Sequence, residues 1–426
     1  MRILSSRDPA VERILQKTIA NAAEIESRVR EIVEEVRQRG DAAVLEYTRR
    51  FDRVPAEWDN LRVTAEEIEQ ARALVDREFL DSLQAAIDNI RSFHEQQKQH
   101  SWMEPDPSGN ILGQISRPLE RVGIYVPGGT AAYPSSVLMN ALPAQVAGVK
   151  EIIMVSPPAA DGSLNPYTLV AAAACGVTEI YKIGGAQAVA ALACGTQTVP
   201  KVDKITGPGN IYVTMAKKLV YGEVDIDMLA GPSEVLVVAD ATANPRYAAA
   251  DLLSQAEHDA LASALLVTPS TELAQAVKLE VERQLAGLSR RDIMEKALTE
   301  YGAIIITEDL TEAIEVANRF APEHLELLVA EPFSWLGQVK NAGAVFVGHY
   351  SPEPIGDYFA GPNHILPTGG TARFYSPVTV DTFTKKTSVI AYSEAGFRAA
   401  APKVIKLATV EGLDAHANSI KIRLEP

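Results

Sequence analysis

Cysteine is scarce in this chain. Cys175 and Cys194 are the only two in 426 residues, and both sit in small apolar surroundings, AAAACGV and ALACGT. They read as buried small hydrophobes, and a disulfide framework is excluded. Excess positive charge is missing too: 40 Lys and Arg stand against 55 Asp and Glu, a net charge of −15. Nucleic acid and anionic membrane are therefore not expected as partners, because both select basic surface. An anionic cofactor stays compatible, since backbone N–H groups can bind phosphate locally. No run reaches the roughly 18 apolar residues of a membrane span. The start, MRILSSRDPAVERIL, lacks the apolar stretch and cleavage site of a secretory signal. A cytoplasmic protein is expected. The G-x-G-x-x-G fingerprint and the P-loop consensus are also absent.

What is present is ordinary globular composition, 47% hydrophobic and 22% charged, at a length suited to two to four domains. Residues 1–105 read as helical. Ile25, Val29, Ile32, Val33 and Val36 share one face, and Gly40 follows as a stop. Thr64 to Glu67 is a capping-box pattern opening an amphipathic stretch through Ile68, Leu74, Val75, Phe79, Leu83, Ile87 and Ile90. His94 and His100, in HEQQKQH, read as solvated.

From about Arg117 the texture becomes α/β. Strands are predicted at Val122–Val126, Glu151–Val155, Glu179–Ile183, Val202–Thr206 and Val235–Ala239, with Ala-rich helices between. A second series follows at Ala264–Val267, Ala303–Thr307, Glu326–Val329 and Ala344–Val347. Two α/β units with mainly parallel sheets result, at 106–235 and 236–380. Residues 349–376 are a Gly/Pro/aromatic loop without periodicity, too long for a plain connector. A tail from 381 to 426, with a strand-like run and a helix, looks too small to fold alone.

Several residues could carry chemistry. Gln255 and His258 end a helical pattern three residues apart, so they face the same way. Alone, such a pair is more often a solvated helix face. With Asp357, His364 and His416 it would form a mixed N/O set suited to zinc. Glu323 and His324 follow Pro322, which disfavours helix at Ala321. They stand at a turn entering the strand Glu326–Val329. The pair is a polar turn or, if placed beside a substrate, a base and a carboxylate that moves water protons. The glycine turns Val126–Thr130, Gly184–Gln187 and Gly207–Asn210 each follow a strand, where α/β folds bind ligands. Gly231–Glu234 precedes a strand, so Ser233 faces the same cleft.

The blocks GIYVPGGTAAYPSSVLMNALPA, KITGPGNIYV, DMLAGPSEVLV, LLSQAEHD, APEHLEL, IGDYFAGPNHILPT and EGLDAHANSI occur in that order. Together they closely resemble histidinol dehydrogenase over essentially the whole chain. The resemblance implies two incomplete Rossmann-like domains. The N-terminal helical segment 1–105 would pack on the second of them, and the tail would contribute to a partner subunit's site. It implies a zinc- and NAD-dependent, four-electron oxidation of L-histidinol through L-histidinal to L-histidine by a homodimer with shared active sites. Gln255, His258, Asp357 and His416 match the ligands of one Zn²⁺ per subunit, His416 reaching the partner's site. Glu323 and His324 match the acid/base pair. Ser233, Gln255, His258, His324, Asp357, Tyr358, His364, Glu411 and His416 match positions around the substrate. Tyr125, Gln187 and Asn210 match NAD contacts. Three other readings are a related zinc/NAD dehydrogenase for another polyol or amino alcohol, a thiohemiacetal mechanism at Cys175 or Cys194, and a non-catalytic metal-binding scaffold.

Overall fold

The computed structural model describes residues 1–15, 22–128 and 132–425. It divides into two compact units, Met1–Gln97 with Leu119–Phe383, and Lys98–Pro118 with Thr384–Pro426.

The chain opens with the strand β1 (Arg2–Ser5), followed by helices Pro9–Leu15, Ala22–Arg39, Asp41–Asp52, Ala65–Leu74 and Arg77–Glu95. Strands β2 (Trp102–Pro105) and β3 (Ile111–Pro118) belong to the second unit. The first unit resumes with β4 (Arg121–Tyr125), β5 (Glu151–Val155), β6 (Glu179–Tyr181), β7 (Lys204–Thr206) and β8 (Asp225–Ile226), a sheet in the order β6-β5-β4-β7-β8. Strands β9 (Glu234–Ala239), β10 (Ser263–Thr268), β11 (Ala303–Ile306), β12 (His324–Leu328) and β13 (Ala344–Val347) join β1 in the order β1-β11-β10-β9-β12-β13. All pairings in these two sheets are parallel.

Without β1, the two orders are the same. Each half places its first strand centrally, its second and third to one side, and its fourth and fifth to the other. The two α/β halves are thus two incomplete Rossmann-like domains of one topology, a kinship that the sequence hides for want of any readable repeat. Helices cover both faces, so the central strands are apolar runs rather than alternating ones. The six residues of β9 are all buried. The order reverses between β4 and β7 in the first half and between β9 and β12 in the second. Such switch points are where open α/β sheets bind ligands.

The helical segment is placed differently from the expectation. Val29, Val33 and Val36 pack with Val189, Leu192 and Val213 on one face of the five-stranded sheet. Leu83, Ile87 and Ile90 pack with Leu138, Leu142 and Leu169 on the other. Residues 22–95 therefore pack mainly on the first α/β half rather than the second, although Asn89 Nδ2 also donates to the Phe359 carbonyl oxygen at 2.9 Å. β1 and the helix Pro9–Leu15 join the second, β1 as its edge strand beside β11. The apolar stripes choose the partner, because each matches an Ala/Leu-rich helix face of the first half. The stretch from Thr64 is two helices, broken at Val75; Thr64 caps the first with a full capping box and Asp76 caps the second. His94 is fully buried, its Nδ1 2.7 Å from the Ile90 carbonyl oxygen, while His100 is exposed.

The second unit takes more of the chain than the tail alone. β14 (Thr384–Ala391) pairs antiparallel with β3, which pairs antiparallel with β2. Helices Glu394–Val410 and Asp414–Lys421 complete it. The 98–118 hairpin supplies the pairing partner that the tail lacked in sequence. Among the described residues, no helix is long and apolar enough to cross a membrane.

Ile90 is fully buried where the helix Arg77–Glu95 meets the sheet layer. Ile90→Ala should cost about 2–5 kcal/mol of stability, read from the urea midpoint of unfolding.

Candidate active site

The candidate acid/base pair is set at the start of β12. Asp309 caps the helix Leu310–Phe320, which ends at Ala321 with a left-handed φ of 51°. That turn, followed by Pro322, swings the chain inward, so Glu323 and His324 are both buried. His324 is already the first strand residue rather than part of a turn before it.

The backbone of one residue, Glu234, holds both side chains. The Glu234 N–H, at the start of β9, donates to Glu323 Oε2 at 2.9 Å. The Glu234 carbonyl oxygen lies 3.0 Å from His324 Nδ1. A carbonyl can only accept, so Nδ1 carries the proton and Nε2 keeps its lone pair. Nε2 is buried with no hydrogen-bond partner and faces Asp357 Oδ1 at 3.8 Å. Burial lowers the His324 pKa to about 3. The ring is therefore neutral and aims a free acceptor toward Asp357. Burial first, and then the charge of Glu234, raise Glu323 well above the usual carboxyl range.

A second group of side chains converges on Asp357. The residues after β13 form a short helix, Glu353–Tyr358, inside the expected irregular loop. Glu353 and Asp357, four residues apart, share its inner face. The helix is pinned by the Glu353 N–H donating to Glu326 Oε1 at 2.9 Å. His258, just past the helix Pro245–Ala256, places Nε2 3.9 Å from Glu353 Oε1. Ligand atoms of His258, Glu353 and Asp357 lie within 4.8 Å of one another. Gln255, one turn earlier, is fully buried with both amide atoms unpartnered. His364 Nδ1 donates to the Asp357 carbonyl oxygen at 3.0 Å, and burial lowers the His364 pKa to about 4. Tyr358 and His258 line a cleft of about 360 Å³ with Tyr133 and Tyr167. Ser233 directly precedes the clamping residue Glu234.

Sequence reasoning missed Glu353, along with the Asp251–Glu326 carboxyl pair behind it. Burial, with the charge of Asp357 next, pushes Glu353 up to about 8. Burial likewise pushes Asp357 and Asp251 up to about 6. Carboxyl groups gathered out of water call for a cation. Together with an orphaned amide oxygen and an imidazole, they suit a divalent metal with N/O preference. The signal for Glu353 in sequence was its i, i+4 relation to Asp357, obscured because SPEPIGDY does not read as helix. Glu411 and His416 lie in the second unit, at the end of the helix Glu394–Val410 and on Asp414–Lys421, and both are exposed.

The cofactor candidates gather at the first half's switch point. Tyr125 ends β4, and its buried hydroxyl accepts from the Gly185 N–H at 3.0 Å. Gln187, in the first turn of the helix Gly185–Cys194, is buried with both amide atoms unpartnered. Asn210 caps the helix Ile211–Val220 through the N–H groups of Tyr212 and Val213. Gly207 has φ 113°, and a Cβ there would strike the Tyr125 carbonyl oxygen. Close backbone approach and an orphaned amide suit a dinucleotide. Gly129 and Thr130 lie outside the described residues. The cysteine alternative fares badly. Burial pushes the Cys175 thiol up to about 12 and raises that of Cys194, so neither is a ready thiolate.

The chain matches the family model described as histidinol dehydrogenase over residues 15–424. It belongs to the histidinol dehydrogenase family. It is 60% identical to the histidinol dehydrogenase of Heliobacterium mobile over 425 residues, covering 100% of both chains. It is 61% identical to that of Moorella thermoacetica, over 94% of this chain and 95% of the relative. The crystal structure of histidinol dehydrogenase from Elizabethkingia anophelis superposes with a TM-score of 0.95 at 39% identity, covering 100% of this chain and 98% of that one. Histidinol dehydrogenases are oxidoreductases, and the oxidoreductase reading of the chain stands.

The buried groups dictate a pH response. His324 and His364, with lowered pKa values, add stability as pH rises toward about 6.5 and nothing beyond. Glu353, raised to about 8, stays protonated in the folded chain while its unfolded counterpart ionises. Its contribution is lost as pH rises toward 8. The Tm of metal-stripped protein should therefore fall between pH 6.5 and 8.5. Added Zn²⁺, which favours ionised carboxylates, should raise Tm more at pH 8 than at pH 6. A stripped-protein Tm that is flat or rising across this window contradicts the assignment.

Proposed function

We propose that this chain is a zinc- and NAD-dependent histidinol dehydrogenase. It would oxidise L-histidinol through L-histidinal to L-histidine, with one water and two NAD consumed per substrate, as the last step of histidine biosynthesis in the cytoplasm. The observation that carries the reading is the neutral His324, its unpartnered Nε2 facing the Asp357–Glu353–His258 cluster. When bound, the nicotinamide supplies the hydride acceptor and the zinc ion holds and orients the substrate.

The protein's part is position and proton transfer. His324 Nε2 takes the hydroxyl proton in the first oxidation, while the Glu234 carbonyl steadies the proton on Nδ1. Glu323, held by the N–H of that same residue, deprotonates the water that attacks the aldehyde carbon. Its raised pKa makes it a stronger base than an exposed carboxylate. His324 then takes a proton from the hydrate in the second oxidation. Tyr125, Gln187 and Asn210 would hold NAD. Ser233, Tyr358 and His364, with Gln255, His258 and Asp357, would surround the substrate. Gln255, His258 and Asp357 would hold the zinc, completed by His416 of the partner subunit. Glu411 of the partner subunit would contact the substrate. The second unit supports a dimer: Trp102, Met103, Leu112, Ile390, Leu407 and Val410 are 48–72% exposed, an apolar surface of the kind that a second copy covers.

Removing a general base typically costs about 10²–10⁴-fold. His324→Ala should lower both oxidations by about that factor, and Glu323→Gln should mainly slow oxidation of added histidinal. A Glu323→Gln enzyme that oxidises histidinal at the wild-type rate overturns its role. NADH formed per histidinol at completion should be two; a value of one identifies an ordinary alcohol dehydrogenase. A related dehydrogenase for other polyols would prefer short diols to histidinol in the same assay.

His416→Asn should lose zinc, measured as metal content after dialysis. Mixing it with His324→Ala subunits should restore part of the activity, because one site in such a heterodimer has both intact residues. No recovery in verified heterodimers contradicts shared sites.

A further inference from the structure

The loop that carries Asp357, Tyr358 and His364 follows the second α/β half in sequence, yet its middle is fastened to the first. Asn89 Nδ2, on the helix Arg77–Glu95, donates to the Phe359 carbonyl oxygen at 2.9 Å. Gly361 has φ 115°, and a Cβ there would lie 2.9 Å from the Asn89 carbonyl oxygen. The loop backbone therefore lies directly on that helix. Two residues on, Asn363 is buried, and its Nδ2 donates to the Met139 carbonyl oxygen at 2.6 Å. His94 Nε2 lies 3.4 Å from the same nitrogen. Asn363 Oδ1 accepts from the Ile365 N–H at 2.9 Å, and Ile365 packs in one core with Ile90 and Leu138.

The acceptor at Met139 has a cause in the sequence. Met139 sits inside the helix Pro134–Ala147, where each carbonyl is normally taken by the N–H four residues on. Four residues on is Pro143, which has no N–H and whose ring crowds that same carbonyl. The proline thus opens one carbonyl in the middle of a buried helix, and a buried carbonyl needs a donor. Asn363 supplies it. The next residue of the helix, Asn140, accepts from the Thr206 hydroxyl at 2.7 Å, and Thr206 ends β7 just before Gly207. Consecutive residues of one helix thus hold the loop of the substrate candidates and the strand end that leads into the cofactor candidates.

We infer that Asn363 is a positioning residue, seated on the carbonyl that Pro143 leaves open, and that this contact registers Asp357 and His364 on the half that carries the cofactor candidates. The inference rests on the function proposed above. Asn363 acts through its neighbour His364, whose Nδ1 donates to the Asp357 carbonyl oxygen at 3.0 Å. Hydride passes only between carbons held close and aligned, so the substrate loop has to share a frame with the cofactor as well as with His324. A side-chain amide suits the task. It offers a donor to Met139 and an acceptor to Ile365 in one plane, with no charge to bury.

The test sets Asn363→Ala beside Pro143→Ala in the whole protein. Asn363→Ala should weaken Zn²⁺ binding to metal-stripped protein, read by calorimetry, and raise KM for histidinol. Each change should be about 3–10-fold, the range for one neutral hydrogen bond. KM for NAD should stay at the wild-type value. Pro143→Ala returns an N–H to the Met139 carbonyl and removes a proline from a helix interior, so Tm should hold or rise. The same variant should still weaken zinc and histidinol, because the carbonyl is drawn back into the helix. Ile90→Ala, which loosens the same core, should lower Tm and leave both affinities alone. Wild-type affinity for zinc and histidinol in either folded variant, Asn363→Ala or Pro143→Ala, overturns the inference. So does an equal loss of both in Ile90→Ala, which would make the effect one of stability. A wild type that does not oxidise histidinol overturns the proposed function, while the zinc measurement still decides the role of Asn363.

Discussion

The backbone of Glu234 is the fixed point of the candidate site. Its N–H holds Glu323 and its carbonyl holds His324, so one buried residue at the start of β9 orients both side chains. β9 is the central strand of the second half and is buried along its length. Parallel pairing sets His324 opposite Val235, the residue after the clamp. The base is thereby placed by sheet register rather than by a loop. A ring whose Nδ1 is bonded to a backbone carbonyl keeps its tautomer, and the tautomer decides which nitrogen can take a proton.

The position is unusual for an open α/β sheet. Tyr125 and Gly207 obey the general rule, standing beyond the carboxyl ends of β4 and β7. Glu323, His324 and Glu234 stand at the amino ends of β12 and β9. Two halves of one topology thus contribute opposite edges, the first carrying the candidate cofactor contacts and the second the candidate acid/base pair. The carboxyl groups of Glu353, Asp357, Glu326 and Asp251 surround the second edge. Burial raises the pKa of all four, Glu353 to about 8 and Asp357 and Asp251 to about 6, and favours a cation among them.

Much of this was legible in sequence. Apolar runs located the central strands of both sheets within a few residues, because strands buried on two faces are continuous in hydropathy. β1 was not, since four residues at a sheet edge carry no periodicity. The partner of the N-terminal helices was not either, because an apolar stripe shows that a helix is buried but not against what. His94 sits in a run of polar residues, and only the fold turns it inward. At the candidate site, residue pattern singled out Glu323, His324, Asp357 and His258, and the family resemblance gave them their expected roles. Glu353 escaped because its helix is six residues long and bounded by Pro352.

The central claim is that His324 is a neutral base with its proton fixed on Nδ1. Nitrogen NMR of ¹⁵N-histidine-labelled protein, with His324→Ala to assign the signal, tests it directly. Between pH 5 and 8 the His324 ring should show one protonated Nδ1 and one unprotonated Nε2, with no titration. An imidazolium signal in that range, or a proton on Nε2, would contradict the account.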